Sequence, residues 1–142
     1  GDTEIWDIYN ATGDAHPVHL HLVNFQFGTG DVATYGVTRQ AFTANVIQQP
    51  IVQHNGATGI GFRLENITLG NPIALGPGDG YVENAPKDMV TALPGQVTRI
   101  KATFDKPGRY VWHCHILSHE DNEMMVPYCV GEPGVDCPAE LF

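Results

Sequence analysis

Six of the seven histidines in this chain fall in two short windows. One reads His16-Pro17-Val18-His19-Leu20-His21 and the other His113-Cys114-His115-Ile116-Leu117-Ser118-His119. Imidazole and thiolate are donors for transition metals such as zinc, copper and iron. Spacing matters here as much as type. In a strand, neighbouring side chains point to opposite faces. Cys114 then looks one way while His113 and His115 look the other, and His19 and His21 share a face. His16 precedes Pro17, which biases it to extended geometry and frees it from the strand register. The pattern predicts two ligand sets, back to back. One is Cys114 with His16 and His119; the other is His19, His21, His113 and His115.

The donor types narrow the metal. A thiolate and two imidazoles with a nearby thioether form the donor set of a blue-copper centre. Met124, five residues past His119, is the thioether candidate; its neighbour Met125 is the less favoured choice. Zinc also accepts Cys and His. A zinc site, however, gives no reason to flank the thiolate with two more histidines on the opposite face. An all-imidazole cluster suits copper or iron that binds oxygen. Joined through one cysteine backbone, the two sets form a short covalent path for electrons.

The scaffold that must position these groups reads as β. The chain has 142 residues, 42 % hydrophobic and only 16 % charged, with 16 Gly and 10 Pro. That is one domain's length, residues 1–142, and the profile of a turn-rich β protein. Alternation predicts strands over Thr3–Tyr9, Val18–Phe27, Gly61–Leu69, Val97–Phe104, Gly108–His115 and Val126–Val130. Residues 28–59 are poorly periodic, and Gly70–Asp88 reads as loop. Ser118–Met125 is a candidate short helix with Ser118 as N-cap. Short strands joined by turns predict a sandwich or barrel. Trp112 and Tyr110 read as core aromatics, and His54 as a non-ligand.

Charge and cysteine usage exclude some partners and suggest a compartment. Seven Lys+Arg against 16 Asp+Glu give a formal charge of −9, which repels nucleic acid and anionic lipid. No apolar run approaches the ~18–20 residues of a membrane span. Of the three cysteines, Cys129 and Cys137 are separated by a turn-rich segment that makes a disulfide easy; the alternative is two unpaired thiols. A bridge would indicate an oxidising compartment: secreted, periplasmic or cell-surface. The sequons Asn10-Ala11-Thr12 and Asn66-Ile67-Thr68 are compatible with secretion.

HPVHLH at His16–His21 and HCHILSHEDNEM at His113–Met124 resemble the HxxHxH and HCHxxxHxxxxM motifs of the multicopper oxidases. Within that family the context GRYVWHCHILSHEDNEMM is similar to the laccase and bilirubin-oxidase branch. The resemblance implies an all-β, Greek-key β-sandwich of the cupredoxin kind. It implies that His16, Cys114, His119 and Met124 match the type-1 copper ligands. His19 matches a type-2 copper ligand, and His21, His113 and His115 match type-3 ligands. His119 matches the ligand that faces the reductant, and Glu120 an acid that helps deliver protons to dioxygen. For Glu120, as for Asp121 and Glu123, the alternative is a solvated acidic turn.

The activity implied is one-electron oxidation of phenols or similar aromatics coupled to reduction of dioxygen to water. With only three Met in all, a Met-rich cuprous-ion oxidase is disfavoured. The segment Gly28–Pro86 is the candidate for part of the substrate-facing surface. The family's trinuclear cluster needs further histidines from a first domain, beyond the four this chain offers. The chain therefore looks like the C-terminal third of a larger oxidase, inactive without its N-terminal cupredoxin domains and prone to self-association. The alternative is a stand-alone blue-copper electron carrier, which would have no use for the second histidine set. Copper nitrite reductases and related two-domain proteins place their ligand sets on different domains, and no second domain is read here. A zinc or cupin-type site is the remaining alternative.

Overall fold

The computed structural model describes residues 1–23, 37–52, 56–81, 87–120 and 124–138. Among the described residues, eight strands form two four-stranded antiparallel sheets. They are β1 (Asp2–Asn10), β2 (His16–Leu20), β3 (Val37–Val52), β4 (Thr58–Ile73), β5 (Met89–Ala92), β6 (Gln96–Phe104), β7 (Gly108–Cys114) and β8 (Met125–Val130). One sheet has the order β1-β6-β3-β4 and the other β5-β2-β7-β8. A single helical turn, α1 (Leu117–Glu120), follows β7.

The core lies between the sheets and follows the period of two. In β6, Ile100, Ala102 and Phe104 are buried, while Arg99, Lys101 and Thr103 face outward. Val18 and Leu20 of β2 and Val90 and Ala92 of β5 meet them from the other sheet. Trp6, Trp112 and Tyr128 pack against this cluster as partly buried aromatics. Trp6 stacks on Phe104 at 5.6 Å between ring centroids and meets Tyr128 edge-on at 5.5 Å. Arg39 of β3 is buried and reaches across the sandwich, donating to the Thr91 carbonyl at 2.6 Å and to Thr98 Oγ1 at 3.2 Å. On the outer face of the first sheet, Arg99 makes a two-pronged bond to its cross-strand partner Asp7 at 2.6 and 3.0 Å. That bond raises the guanidinium above its usual value.

The sandwich agrees with the expected fold class, but several element boundaries differ. The strand expected over Val18–Phe27 runs instead from His16 to Leu20. Leu22 takes a positive φ of 80°, which breaks the alternation. Val23, which unbroken alternation would put on the face of His19 and His21, turns into the core. Asn24–Phe27 lie outside the described residues. The stretch 28–59, read as aperiodic, contains the whole of the 16-residue β3. Gly70–Ile73, read as loop, extends β4. The short strand β5 escaped notice because Met89–Ala92 offers only four residues between Gly/Pro-rich flanks.

Of the helix expected over Ser118–Met125, the described residues hold α1, which begins at Leu117, so Ser118 lies inside the helix and not at its N-cap. Met125 already belongs to β8, paired with His113 of β7, so the helix does not reach it; residues 121–123 lie outside the described residues. Cys129 and Cys137 are joined in a disulfide that ties the C-terminal segment to β8. Cys114 is buried and takes no part in that disulfide.

Candidate metal centre

Strand register explains how both donor sets arise. β2 and β7 pair with Val18 opposite Cys114 and His19 opposite His113. Residues directly opposite share a face, so one step along the ladder switches from the sulfur face to the imidazole face. His16 is itself a β2 residue, paired with Ala92 of β5, and shares the buried face of Val18 and Leu20. The expectation that Pro17 would free His16 from the register is therefore corrected. Ordinary alternation carries its ring to the side of Cys114. His16 Nδ1 lies 3.6 Å from Cys114 Sγ. Cys114 is 0 % exposed and His16 9 %.

The far side of His16 is held as well. Its Nε2 lies 2.9 Å from Thr12 Oγ1. Asn10, at the end of β1, is 4 % exposed and binds this loop. Its Nδ2 donates to the carbonyls of Asp14 (2.7 Å) and Ala92 (2.9 Å). With both amide hydrogens engaged and the side chain buried, the first sequon is a structural motif in the folded protein. Asn66, in the second, is exposed.

On the opposite face, ligand nitrogens of His19, His21 and His113 all lie within 4.8 Å of one another. His21 Nε2 and His113 Nε2 are 3.2 Å apart. His115 joins them, its ring centroid 5.5 Å from that of His113 and 6.0 Å from that of His19. Neither His21 nor His115 lies in a strand. The His21 N–H donates to the Val111 carbonyl and the His115 N–H to the Pro17 carbonyl, extending the β2–β7 contact beyond the strand ends. His113 Nδ1 sits 3.2 Å from the Cys114 carbonyl, an acceptor only, which puts the ring proton on Nδ1 and leaves Nε2 facing the cluster. Asp88 Oδ1 lies 3.9 Å from His19 Nδ1 and lines, with His19, His21 and Tyr110, an open cleft of about 370 Å³. Tyr128 donates its hydroxyl hydrogen to the His21 carbonyl. Burial is the main reason that its phenol is pushed up to about 12, with neighbouring Tyr110 adding to the effect.

The remaining candidates sit around α1. The Cys114 N–H donates to the Met124 carbonyl at 2.9 Å, so Met124 lies beside Cys114 at the root of β8. His119 and Glu120 belong to α1, five and six positions along the chain from Cys114; their side chains lie outside the described residues. Asp121, Glu123 and His54 lie outside them entirely. Sequence reasoning overlooked Thr12, Asn10 and Asp88. The Asn-Ala-Thr triplet did mark the first two, but as a glycosylation signal rather than as a support for the histidine four residues on.

Residues 1–134 match the family model described as multicopper oxidase. This chain belongs to the multicopper oxidase family. It is 36 % identical to a laccase of Haloferax volcanii over 96 % of its own length and 17 % of that protein. It is 37 % identical to a laccase of Bacillus subtilis over 94 % of its length and 21 % of that protein. Similarity also extends to a multicopper oxidase of Arabidopsis thaliana, at 31 % identity over 89 % of the chain and 22 % of that protein. Among solved structures, a Campylobacter jejuni multicopper oxidase, described as a metallo-oxidase, superposes with a TM-score of 0.51. That match covers 93 % of this chain and 19 % of the other, at 21 % identity, and shows the shared cupredoxin-like fold. The chain thus spans about a fifth of the length of the curated relatives it matches. Among the described residues, no helix is long and apolar enough to cross a membrane.

Proposed function

We propose that this chain is the C-terminal, copper-binding domain of a laccase-like oxidase that withdraws electrons one at a time from phenolic or other aromatic reductants and delivers them to dioxygen. The observation that carries the reading is the back-to-back placement of two donor sets on one strand pair. A buried thiol faces an imidazole nitrogen at 3.6 Å on one side, and three imidazoles converge within 4.8 Å on the other. These donors fit copper: thiolate with imidazole for one site, imidazoles alone for the other. Copper held there would supply reversible one-electron chemistry and, in the complete cluster, the reduction of dioxygen to water.

The protein's own groups do the rest. Cys114 would hold copper through its sulfur as a thiolate, and its complete burial keeps water and other thiols from it. His16, His119 and Met124 complete its set, with His119 toward the reductant. His19 takes the type-2 position, and His21, His113 and His115 the type-3 positions. Because His113 and His115 adjoin Cys114 in sequence, the path between the two sets consists of covalent bonds. Glu120 is the proton donor toward dioxygen. The segment Gly28–Pro86 contributes to the reductant-facing surface. Further cupredoxin domains supply the cluster's missing histidines. The Cys129–Cys137 disulfide supports an oxidising compartment, secreted, periplasmic or cell-surface.

The test is copper loading followed by oxygen uptake with a phenolic donor. The isolated chain is expected to bind about one copper tightly through the thiolate set, with an intense visible thiolate-to-copper band and negligible turnover. The parent polypeptide is expected to consume oxygen. Strong oxidase activity from this chain alone would overturn the division of labour proposed. A colourless copper complex would remove the thiolate from the metal site. A parent that binds copper with the band but never consumes oxygen would instead be an electron carrier.

A further inference from the structure

His16 has two ring nitrogens, and only a nitrogen without a hydrogen can donate electrons to a metal. The hydrogen bonds around Thr12 decide which one that is. Asn10 is fixed first, because its Nδ2 donates to the carbonyls of Ala92 and Asp14, which aims its Oδ1 at Thr12. Asn10 Oδ1 lies 2.7 Å from Thr12 Oγ1 and 2.9 Å from the Thr12 backbone nitrogen. Two acceptors that cannot donate face the Thr12 hydroxyl, Asn10 Oδ1 at 2.7 Å and the Asp14 carbonyl at 3.2 Å, so its single hydrogen goes to them, chiefly to the nearer Asn10, and not to His16. The Thr12 oxygen, 2.9 Å from His16 Nε2, is left to accept from that ring. Nε2 therefore carries the ring hydrogen, and the lone pair of Nδ1 faces Cys114 Sγ at 3.6 Å.

We propose that Thr12, oriented by Asn10, is the positioning residue that holds His16 in its Nε2–H tautomer and presents Nδ1 beside Cys114 as a metal donor. The proposal rests on the reading of His16 and Cys114 as copper ligands. Thr12 touches neither metal nor substrate; it acts through the ring. Such outer hydrogen-bond partners fix tautomer and ring orientation of a ligating histidine, and their loss typically lowers metal affinity about 10–100-fold. The sulfur face and the imidazole face are thus supported differently. His113 is oriented by the Cys114 carbonyl, whereas His16 is oriented by a side chain from the loop after β1.

The experiment compares the wild-type chain with Thr12→Val, which removes the acceptor but keeps the shape, and Thr12→Ser, which restores it. Ring nitrogen chemical shifts of His16 in the metal-free protein report the tautomer without any copper. The wild type and Thr12→Ser are expected to show Nε2–H, and Thr12→Val a mixture or the other tautomer. Copper affinity by chelator competition is expected to fall ~10–100-fold in Thr12→Val and to recover in Thr12→Ser, with the visible band and the reduction potential shifted in the valine variant alone. An Nδ1–H ring in the wild type, or a tautomer and affinity unmoved in Thr12→Val, would overturn the proposal. If the tautomers behave as expected but the wild type forms no thiolate-to-copper band, the ligand reading fails, and with it the positioning role. Thr12 is exposed, so the valine variant is expected to fold; Thr12→Ala repeats the comparison at smaller volume.

Discussion

The histidine end of the sandwich and the long β3–β4 ribbon are both antiparallel strand pairs, yet they use side-chain alternation in opposite ways. In β2 and β7 the two faces do different chemistry. One buries Cys114 and His16, and the other gathers His19 and His113. In β3, pairing with β6 ends at Ala41, and from Asn45 to Val52 the strand is paired with β4. One face of that ribbon carries Val46, Pro50, Val52, Ile60, Phe62 and Leu64. Of these, Val46, Val52, Ile60 and Phe62 are more than half exposed among the described residues. The other face carries Arg63, bonded to Gln49 and Glu65, and Ile51 lying over Gly61. Burial of one face makes a strand pair hold its register; a two-stranded ribbon with its apolar face uncovered is marginal by itself.

The largest expected effect tests the chemistry of the first region. Cys114→Ser is expected to abolish the visible charge-transfer band of the copper-loaded chain while leaving the sandwich folded, read by absorption and far-ultraviolet circular dichroism. Next comes packing behind the site. Leu20→Ala, at 1 % exposure beside His19 and His21, is expected to cost about 2–5 kcal/mol in denaturant unfolding. Reducing the Cys129–Cys137 bridge, which spans a sequence separation of 8, is expected to cost ~2–3 kcal/mol by the loop-entropy relation.

A smaller effect appears at high pH. The folded protein holds Tyr128 protonated up to about 12, against 10.0 for the ordinary phenol. The unfolded chain therefore loses that proton first, so stability is expected to fall between roughly pH 10 and 12, and Tyr128→Phe to flatten the decline. The smallest effect belongs to the ribbon: Phe62→Ser is expected to change stability by no more than about 0.5 kcal/mol. A loss comparable with that of Leu20→Ala would erase the contrast between the two regions.

The sequence was legible where one face of a strand is buried inside this chain. β1, β6 and β7 emerged from alternation within a residue or so of their ends, and the two donor faces emerged from the same rule. In the ribbon, Gly61–Leu69 marked the middle of β4, but β3 did not emerge, because Val46 and Ile47, or Ile51 and Val52, place apolar side chains on both faces at adjacent positions. Alternation also failed at Leu22, where a left-handed residue reverses the faces without any glycine to announce it. Met124 and His16 were singled out by type and spacing. Thr12 was not, because its role depends on which way one hydroxyl hydrogen points, and that is settled only by the carbonyls of Ala92 and Asp14 around Asn10.

The burial of Asn10 has a practical consequence for producing the protein. A eukaryotic secretory host attaches sugar to Asn-X-Thr triplets while the chain is still entering the endoplasmic reticulum, before β1 and β5 have met. An oligosaccharide on Asn10 would occupy the nitrogen that must reach Ala92, and such a molecule could not close its sandwich. Bacterial expression avoids that trap, and yields of folded material from yeast would report how often the transferase reaches this triplet before the fold does.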